Sequence, residues 1–292
     1  MATLHVLNFR YSDFNGSPRS EPETTPEARN ALQTAHRCVV FIHGFANSPG
    51  AAEPKYRLKM AQLQAAFSGG VGPDERTEYF ALFWPGSHRL IGEDQATFAV
   101  RVPAASATGT HLALALIDLR TAGEVVLVAH SLGCRVALAC LEQLSSRQAN
   151  GWPVPTVSAA VLMAGAVPVA ECEIGPEVFG RRFGSTYYVN IYSLADGTLK
   201  KFFPIGQQLV DRRATAIGLS GGPYEGQRWD VPMRTTLDHS DYWESDETGE
   251  AAALAAGAVA TSHVRTHTMA EHHPSNAELQ TSHTPERRTL ID

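Results

Sequence analysis

The sequence predicts an α/β fold in which a doubly wound, mostly parallel sheet carries helices on both faces. Two observations support this prediction: continuous apolar runs, and helical patterns that fall between them. An apolar run with no polar alternation is typical of a strand buried on both faces, as in a parallel sheet. Alternating strands and helices with right-handed crossovers then give the doubly wound arrangement.

The individual elements follow in chain order. Five apolar runs are predicted as strands: residues 38–42, 79–84, 125–129, 159–164 and 187–194. A short final strand is expected over residues 229–233. Apolar residues at helical spacing predict helices over residues 56–67, 97–119, 132–144 and 199–209. Chemistry in such sheets lies at the carboxyl ends of the strands, so the residues that follow each run are the candidates for function.

The chain is expected to hold one folded domain and a tail. Residues 12–35 are rich in Ser, Pro, Glu and Thr, which favours a surface linker within a domain of residues 1–245. Residues 246–292 are rich in Ala and His, and they predict a low-complexity tail that is disordered or loosely docked.

Composition and charge narrow the class of function. The chain has 292 residues, a net charge of −6 and no run of Lys or Arg, so we expect no nucleic-acid partner. No signal-peptide pattern is present, and the apolar stretches are shorter than the roughly 20 residues of a membrane span. The four cysteines lack metal or disulfide spacing and are expected to be buried free thiols. These features predict a soluble cytoplasmic protein.

A nucleophile elbow is the sharpest motif. The run that ends at Ala129 is followed by His130, Ser131, Leu132 and Gly133, and a helical pattern begins there. Such an elbow holds a serine on a strained turn, and it needs small residues two positions before and two after the serine. The Leu132 N–H at the start of the helix can donate to an oxyanion. The alternative is that Ser131 only caps the helix.

A second motif, His43-Gly44-Phe45, ends the first buried run. Glycine lets the backbone approach closely, so the Phe45 N–H is predicted as the second oxyanion donor. The alternative is a tight structural turn. Neither His43 nor His130 is predicted as the base, since the first is expected to bond locally and the second to point away from the serine.

Together the two motifs resemble those of the α/β-hydrolase superfamily. With Phe83-Trp84-Pro85-Gly86 and the elbow helix, they are similar to a bacterial branch of uncharacterised α/β hydrolases, over about residues 37–243. The resemblance implies the α/β-hydrolase fold and a triad of Ser, Asp or Glu, and His in that chain order.

The acid and the base are then sought after Ser131. Asp196 ends an apolar run and can accept the second N–H of a catalytic histidine, although its position also suits a helix cap. Asp211 and Asp230 are the alternatives. His239 lies beside Tyr242 and Trp243, which can anchor its loop; the alternative is a surface histidine.

The predicted function is a serine hydrolase that cleaves a small or medium acyl ester through an acyl-enzyme, without a metal or other cofactor. His263 and His267 are four residues apart but lack the acidic partner of a zinc motif. The 18 residues 169–186 are too few for a large cap domain, so segments 85–103 and 217–229 are the expected covers. The same triad would serve an amidase, thioesterase or acyltransferase, and a non-catalytic binding module is the remaining alternative.

Overall fold

A computed structural model describes residues 2–11, 16–68, 77–87, 95–119, 121, 123–172, 186–208, 215–222 and 229–257. The strands are β1 (Leu4–Arg10), β2 (Pro18–Glu23), β3 (Arg37–Ile42), β4 (Thr77–Phe83), β5 (Glu124–His130), β6 (Val157–Met163), β7 (Tyr187–Ser193) and β8 (Val231–Thr235). The helices are α1 (Pro26–Thr34), α2 (Pro49–Ser68), α3 (Gln95–Asp118), α4 (Gly133–Ala149), α5 (Gly197–Gln208), α6 (Ile217–Ser220) and α7 (Asp246–Ala255). Short 3₁₀ turns lie at Val169–Cys172 and Asp241–Trp243.

The strands form one eight-stranded sheet in the order β2-β1-β4-β3-β5-β6-β7-β8. Among the pairs of these described strands, β1–β2 is antiparallel and the others are parallel. Helix α3 packs against α4 and α5, while α2 packs against α7. The predicted α/β class and mostly parallel sheet are therefore confirmed.

The central strands β3, β5 and β6 are almost completely buried. Their sequences are rich in Val, Ile, Leu and Ala, and strands covered by helices on both faces need such side chains. Because the neighbouring strands are parallel, β5, β7 and β8 all end at the same edge of the sheet. Residues that follow these three strands therefore come together.

Two segments differ from their sequence-based description. Strand β2 and helix α1 form within residues 16–35, where a surface linker was expected. The helix is capped by Thr25 and has Pro26 at its start, and its apolar face buries Leu32. Helix α7 follows residue 245 and buries Ala252 against the rest of the domain, while residues 258–292 lie outside the described residues. The boundary at residue 245 stays a prediction.

Two further features concern the described residues as a whole. All four cysteines are free and buried, as their spacing predicts: Cys38, Cys134, Cys140 and Cys172. Within the described ranges, every helix is too short or too polar to cross a membrane. By the contacts within each part, the chain divides into two units, Met1–Ala260 and Thr261–Asp292. The second unit lies wholly outside the described residues.

Candidate active site

Ser131 occupies the turn between β5 and α4 in a left-handed backbone conformation, with φ of 54°. This conformation is uncommon for a residue other than glycine, and it is typical of a nucleophile elbow. Two backbone bonds hold the turn: the Ser131 N–H donates to the Met163 carbonyl at 2.9 Å, and the Ala166 N–H donates to the Ser131 carbonyl at 3.0 Å. The serine is therefore fixed against the end of the neighbouring strand β6.

Close backbone approach around the elbow explains two glycines. A Cβ atom on Gly44 would lie 2.7 Å from the Cβ of Ser131. A Cβ atom on Gly133 would collide with the carbonyl oxygens of Ile42 and His43. The loop after β3 can therefore run directly beside the serine, because glycine at position 44 permits the close approach.

Asp196 follows β7 and is completely buried. Its carboxylate has two partners: Oδ1 accepts the Leu199 N–H at 2.8 Å, and Oδ2 lies 2.7 Å from Nδ1 of His239. The first bond is a helix N-cap on α5, so Asp196 caps this helix and contacts His239 at the same time. The N-terminal end of α5 and the imidazole of His239 therefore meet at one buried carboxyl group.

His239 lies in the loop after β8 and links the other two residues. Its Nδ1–H donates to Asp196, and Nε2 lies 2.9 Å from Oγ of Ser131, where it can accept the hydroxyl proton. Tyr242 and Trp243 are buried just after it. The structure thus brings together the three residues predicted as the triad.

His130 has a contact that the sequence did not predict. Its Nε2–H donates to the backbone carbonyl of His239 at 2.8 Å, and the two rings lie 4.9 Å apart. Burial lowers the pKa of His130 well below its usual value, with a smaller effect from the neighbouring His239. A neutral His130 ring thus links the loop of His239 to the turn that holds Ser131.

The segment after β3 is also well fixed. Nδ1–H of His43 donates to the Gly44 carbonyl at 2.8 Å, and burial lowers the pKa of His43 to about 3. The indole N–H of Trp84 donates to the His43 carbonyl at 2.8 Å. As expected, His43 bonds locally, and Phe45 lines the same cavity as Ser131.

A cavity of about 230 Å³ opens next to Ser131 and His239. Phe98 from α3 and Leu199, Phe202 and Phe203 from α5 line it. The sequence analysis did not predict this lining by α5, although the three residues share one helix face because Phe202 and Phe203 lie three and four residues after Leu199.

Of the remaining candidates, Asp230 lies among the described residues, and it is not brought to this site. Oδ2 of Asp230 accepts the Tyr188 N–H at 2.7 Å at the start of β8. Asp211, His263 and His267 lie outside the described residues. In the part of the chain that is described, no three His, Cys, Asp or Glu side chains are grouped to hold a metal ion.

Comparison with known proteins gives one family. Residues 21–260 match the profile described as alpha/beta hydrolase of unknown function (DUF900). No curated protein matches the chain. An inhibited esterase B from Lactobacillus rhamnosis shares 14% identity over 77% of this chain and 78% of its own, with a TM-score of 0.38. The catalytic core of acetyl xylan esterase from Trichoderma reesei shares 13% identity over 78% of this chain and 100% of its own, with a TM-score of 0.40. Because the family profile spans most of its length, the chain belongs to this family of α/β hydrolases.

Proposed function

We propose that the protein is a serine hydrolase that cleaves small or medium acyl esters through Ser131, His239 and Asp196. The observation that carries the proposal is a chain of two hydrogen bonds, at 2.9 Å from Ser131 to His239 and at 2.7 Å from His239 to Asp196. This chain joins a nucleophile to a base, and the base to the acid that orients it.

The first half-reaction forms the acyl-enzyme. Nε2 of His239 accepts the hydroxyl proton as Oγ of Ser131 bonds to the acyl carbon, and the carbonyl oxygen becomes an oxyanion. The N–H groups of Leu132 and Phe45 are its proposed donors, supported by the elbow geometry and by the close approach at Gly44. His239 then gives the proton to the alcohol oxygen as the ester C–O bond breaks.

The second half-reaction regenerates the serine. His239 removes a proton from water as the water oxygen bonds to the acyl carbon, and it returns that proton to Oγ as the acid leaves. Asp196 stabilises the imidazolium in both halves because its carboxylate accepts the Nδ1–H. Its buried position keeps water from weakening this bond.

The short connection between β6 and β7 supports small or medium substrates. Only residues 164–186 join these strands, too few for a separate cap domain of 50 residues or more. An open site without such a cap suits soluble esters better than a long lipid chain.

A fluorophosphonate probe tests the proposal, because it labels only an activated serine. We expect labelling of the native protein and of Ser240→Ala, whose exposed hydroxyl contacts Asp241, and none of Ser131→Ala. Circular dichroism would verify that each variant is folded. Labelling that survives in Ser131→Ala, or is absent from the folded native protein, would refute the proposal.

A further inference from the structure

The cavity beside Ser131 is small and closed at one side by aromatic rings. Phe98 lies between Phe45 and Phe203, with ring centroids 5.7 Å and 6.3 Å apart and edge-to-face angles of 80° and 72°. Phe98 and Phe203 are almost fully buried, whereas Phe202 is 38% exposed. Phe202 thus belongs to the rim, and the other three rings form a wall.

The chemistry of the lining is apolar. Among the described residues that line the cavity there is no Asp, Glu, Lys or Arg, and the polar side chains are those of Ser131, His239 and Thr198. The hydroxyl and imidazole are already paired with each other, at 2.9 Å. A charged substrate group would therefore lose its hydration without gaining a partner, whereas an alkyl group gains free energy on burial.

The proposed mechanism indicates which part of an ester, the acyl group or the alcohol, this cavity binds. The acyl group stays bonded to Ser131 after the alcohol has left, so a pocket lined by Ser131 can hold it through both half-reactions. The alcohol oxygen must lie at Nε2 of His239 to receive a proton, and the alcohol must then make way for water. An apolar cavity that is closed at one side suits the group that stays.

We propose that this cavity binds the acyl chain and that the wall of Phe45, Phe98 and Phe203 limits its length, which makes the enzyme selective for short, uncharged alkyl acyl groups. The inference rests on the proposed function and names its substrate class. The volume of about 230 Å³ lies below the roughly 300–1,000 Å³ of pockets that hold drug-sized ligands. Each methylene that fits should raise kcat/KM about fourfold, and those beyond the wall should lower it.

Two ester series test the assignment. In the first, p-nitrophenyl esters carry acetyl, butyryl, hexanoyl, octanoyl and decanoyl groups; in the second, acetate esters carry alcohols of the same lengths. We expect kcat/KM to rise from acetyl to butyryl and to fall by decanoyl, with little dependence on the alcohol. A flat acyl profile, an optimum at decanoyl, or a dependence on the alcohol alone would overturn the proposal.

Variants then test the wall itself. Phe98→Ala should raise the decanoyl-to-butyryl ratio of kcat/KM about tenfold or more, because it opens the end of the cavity. Val100→Ala is the matched control, since Val100 lies on the same helix, is 65% exposed and does not line the cavity. Ala166→Val should act oppositely, since it fills the cavity and lowers activity on longer chains first. An unchanged chain-length profile in both cavity variants would refute the wall.

A short-chain fluorophosphonate separates this inference from the function on which it rests. Labelling of Ser131 reports an activated serine whatever the acyl selectivity. Intact labelling with the wrong chain-length profile would refute only the acyl pocket. Absent labelling in folded protein would refute the proposed function itself.

Discussion

Asp196 has two partners, and two substitutions can separate them. Its Oδ1 caps helix α5 through the Leu199 N–H at 2.8 Å, and its Oδ2 accepts from His239 at 2.7 Å. Asp196→Asn keeps a capping oxygen but turns an amide toward the imidazole. That amide donates to Nδ1 and leaves the proton on Nε2, so the ring can no longer accept from Ser131. Asp196→Ala removes both bonds.

The two variants should therefore agree in activity and differ in stability. We expect kcat to fall about 10⁴-fold in Asp196→Asn, and at least as far in Asp196→Ala. The free energy of unfolding should be lower in Asp196→Ala than in Asp196→Asn by about 1 kcal/mol, since Asn caps a helix nearly as well as Asp. Ester hydrolysis measures the first quantity and urea unfolding the second.

Asp230→Asn is the control, because Asp230 is another carboxylate that accepts a backbone N–H, from Tyr188. Its kcat should stay close to that of the native enzyme. A large loss in Asp230→Asn together with near-native activity in Asp196→Asn would transfer the role of the acid to Asp230. Equal stability of the two Asp196 variants would show that the cap contributes nothing.

Three further perturbations have defined outcomes. His130→Phe keeps a buried ring but loses the bond to the His239 carbonyl. The kcat of ester hydrolysis should therefore fall about 10- to 100-fold with little change in KM, and an unchanged kcat would contradict this. Burial lowers the pKa of Lys59 to about 7, so between about pH 7 and 10 this lysine is protonated more in the unfolded state than in the folded state. The free energy of unfolding of the native protein, measured in urea, should therefore rise with pH relative to that of Lys59→Met. A stability difference that falls with pH would refute this. Gly44→Val places a side chain against Ser131, and fluorophosphonate labelling should slow at least 100-fold, whereas native labelling rates would exclude this close approach.

The central sheet could be predicted because its strands are covered on both faces. Residues 38–42 and 125–129 are continuous apolar runs, and the structure forms β3 and β5 over Arg37–Ile42 and Glu124–His130. No polar residue can be tolerated at the centre of such a strand without a partner, so the sequence pattern is unambiguous.

The edge of the sheet could not be predicted in the same way. β2 consists of polar and charged residues and Pro, and it pairs only with β1. An edge strand is solvated on one side, so its sequence is under little demand for apolar residues. The position of β2 is determined by backbone pairing with β1 and not by burial of apolar side chains, so composition alone favoured a linker.

The residues of the candidate site also differ in how far the sequence alone predicts their positions. The positions of Ser131 and Asp196 follow from strand ends, which apolar runs mark directly in the sequence. The position of His239 depends on a loop after β8, and that loop is held by long-range contacts: the His130 bond to its carbonyl and the packing of Trp243 against Tyr56, with ring centroids 5.2 Å apart. Chain order and neighbouring aromatics selected His239 among the later histidines, but only the folded arrangement reveals that His130, the residue before Ser131, also holds the His239 loop. In the proposed reaction, the turn at residues 130–131 therefore positions both partners of the proton transfer, so a substitution at position 130 should alter the alignment of His239 with Ser131 although neither of these residues is replaced.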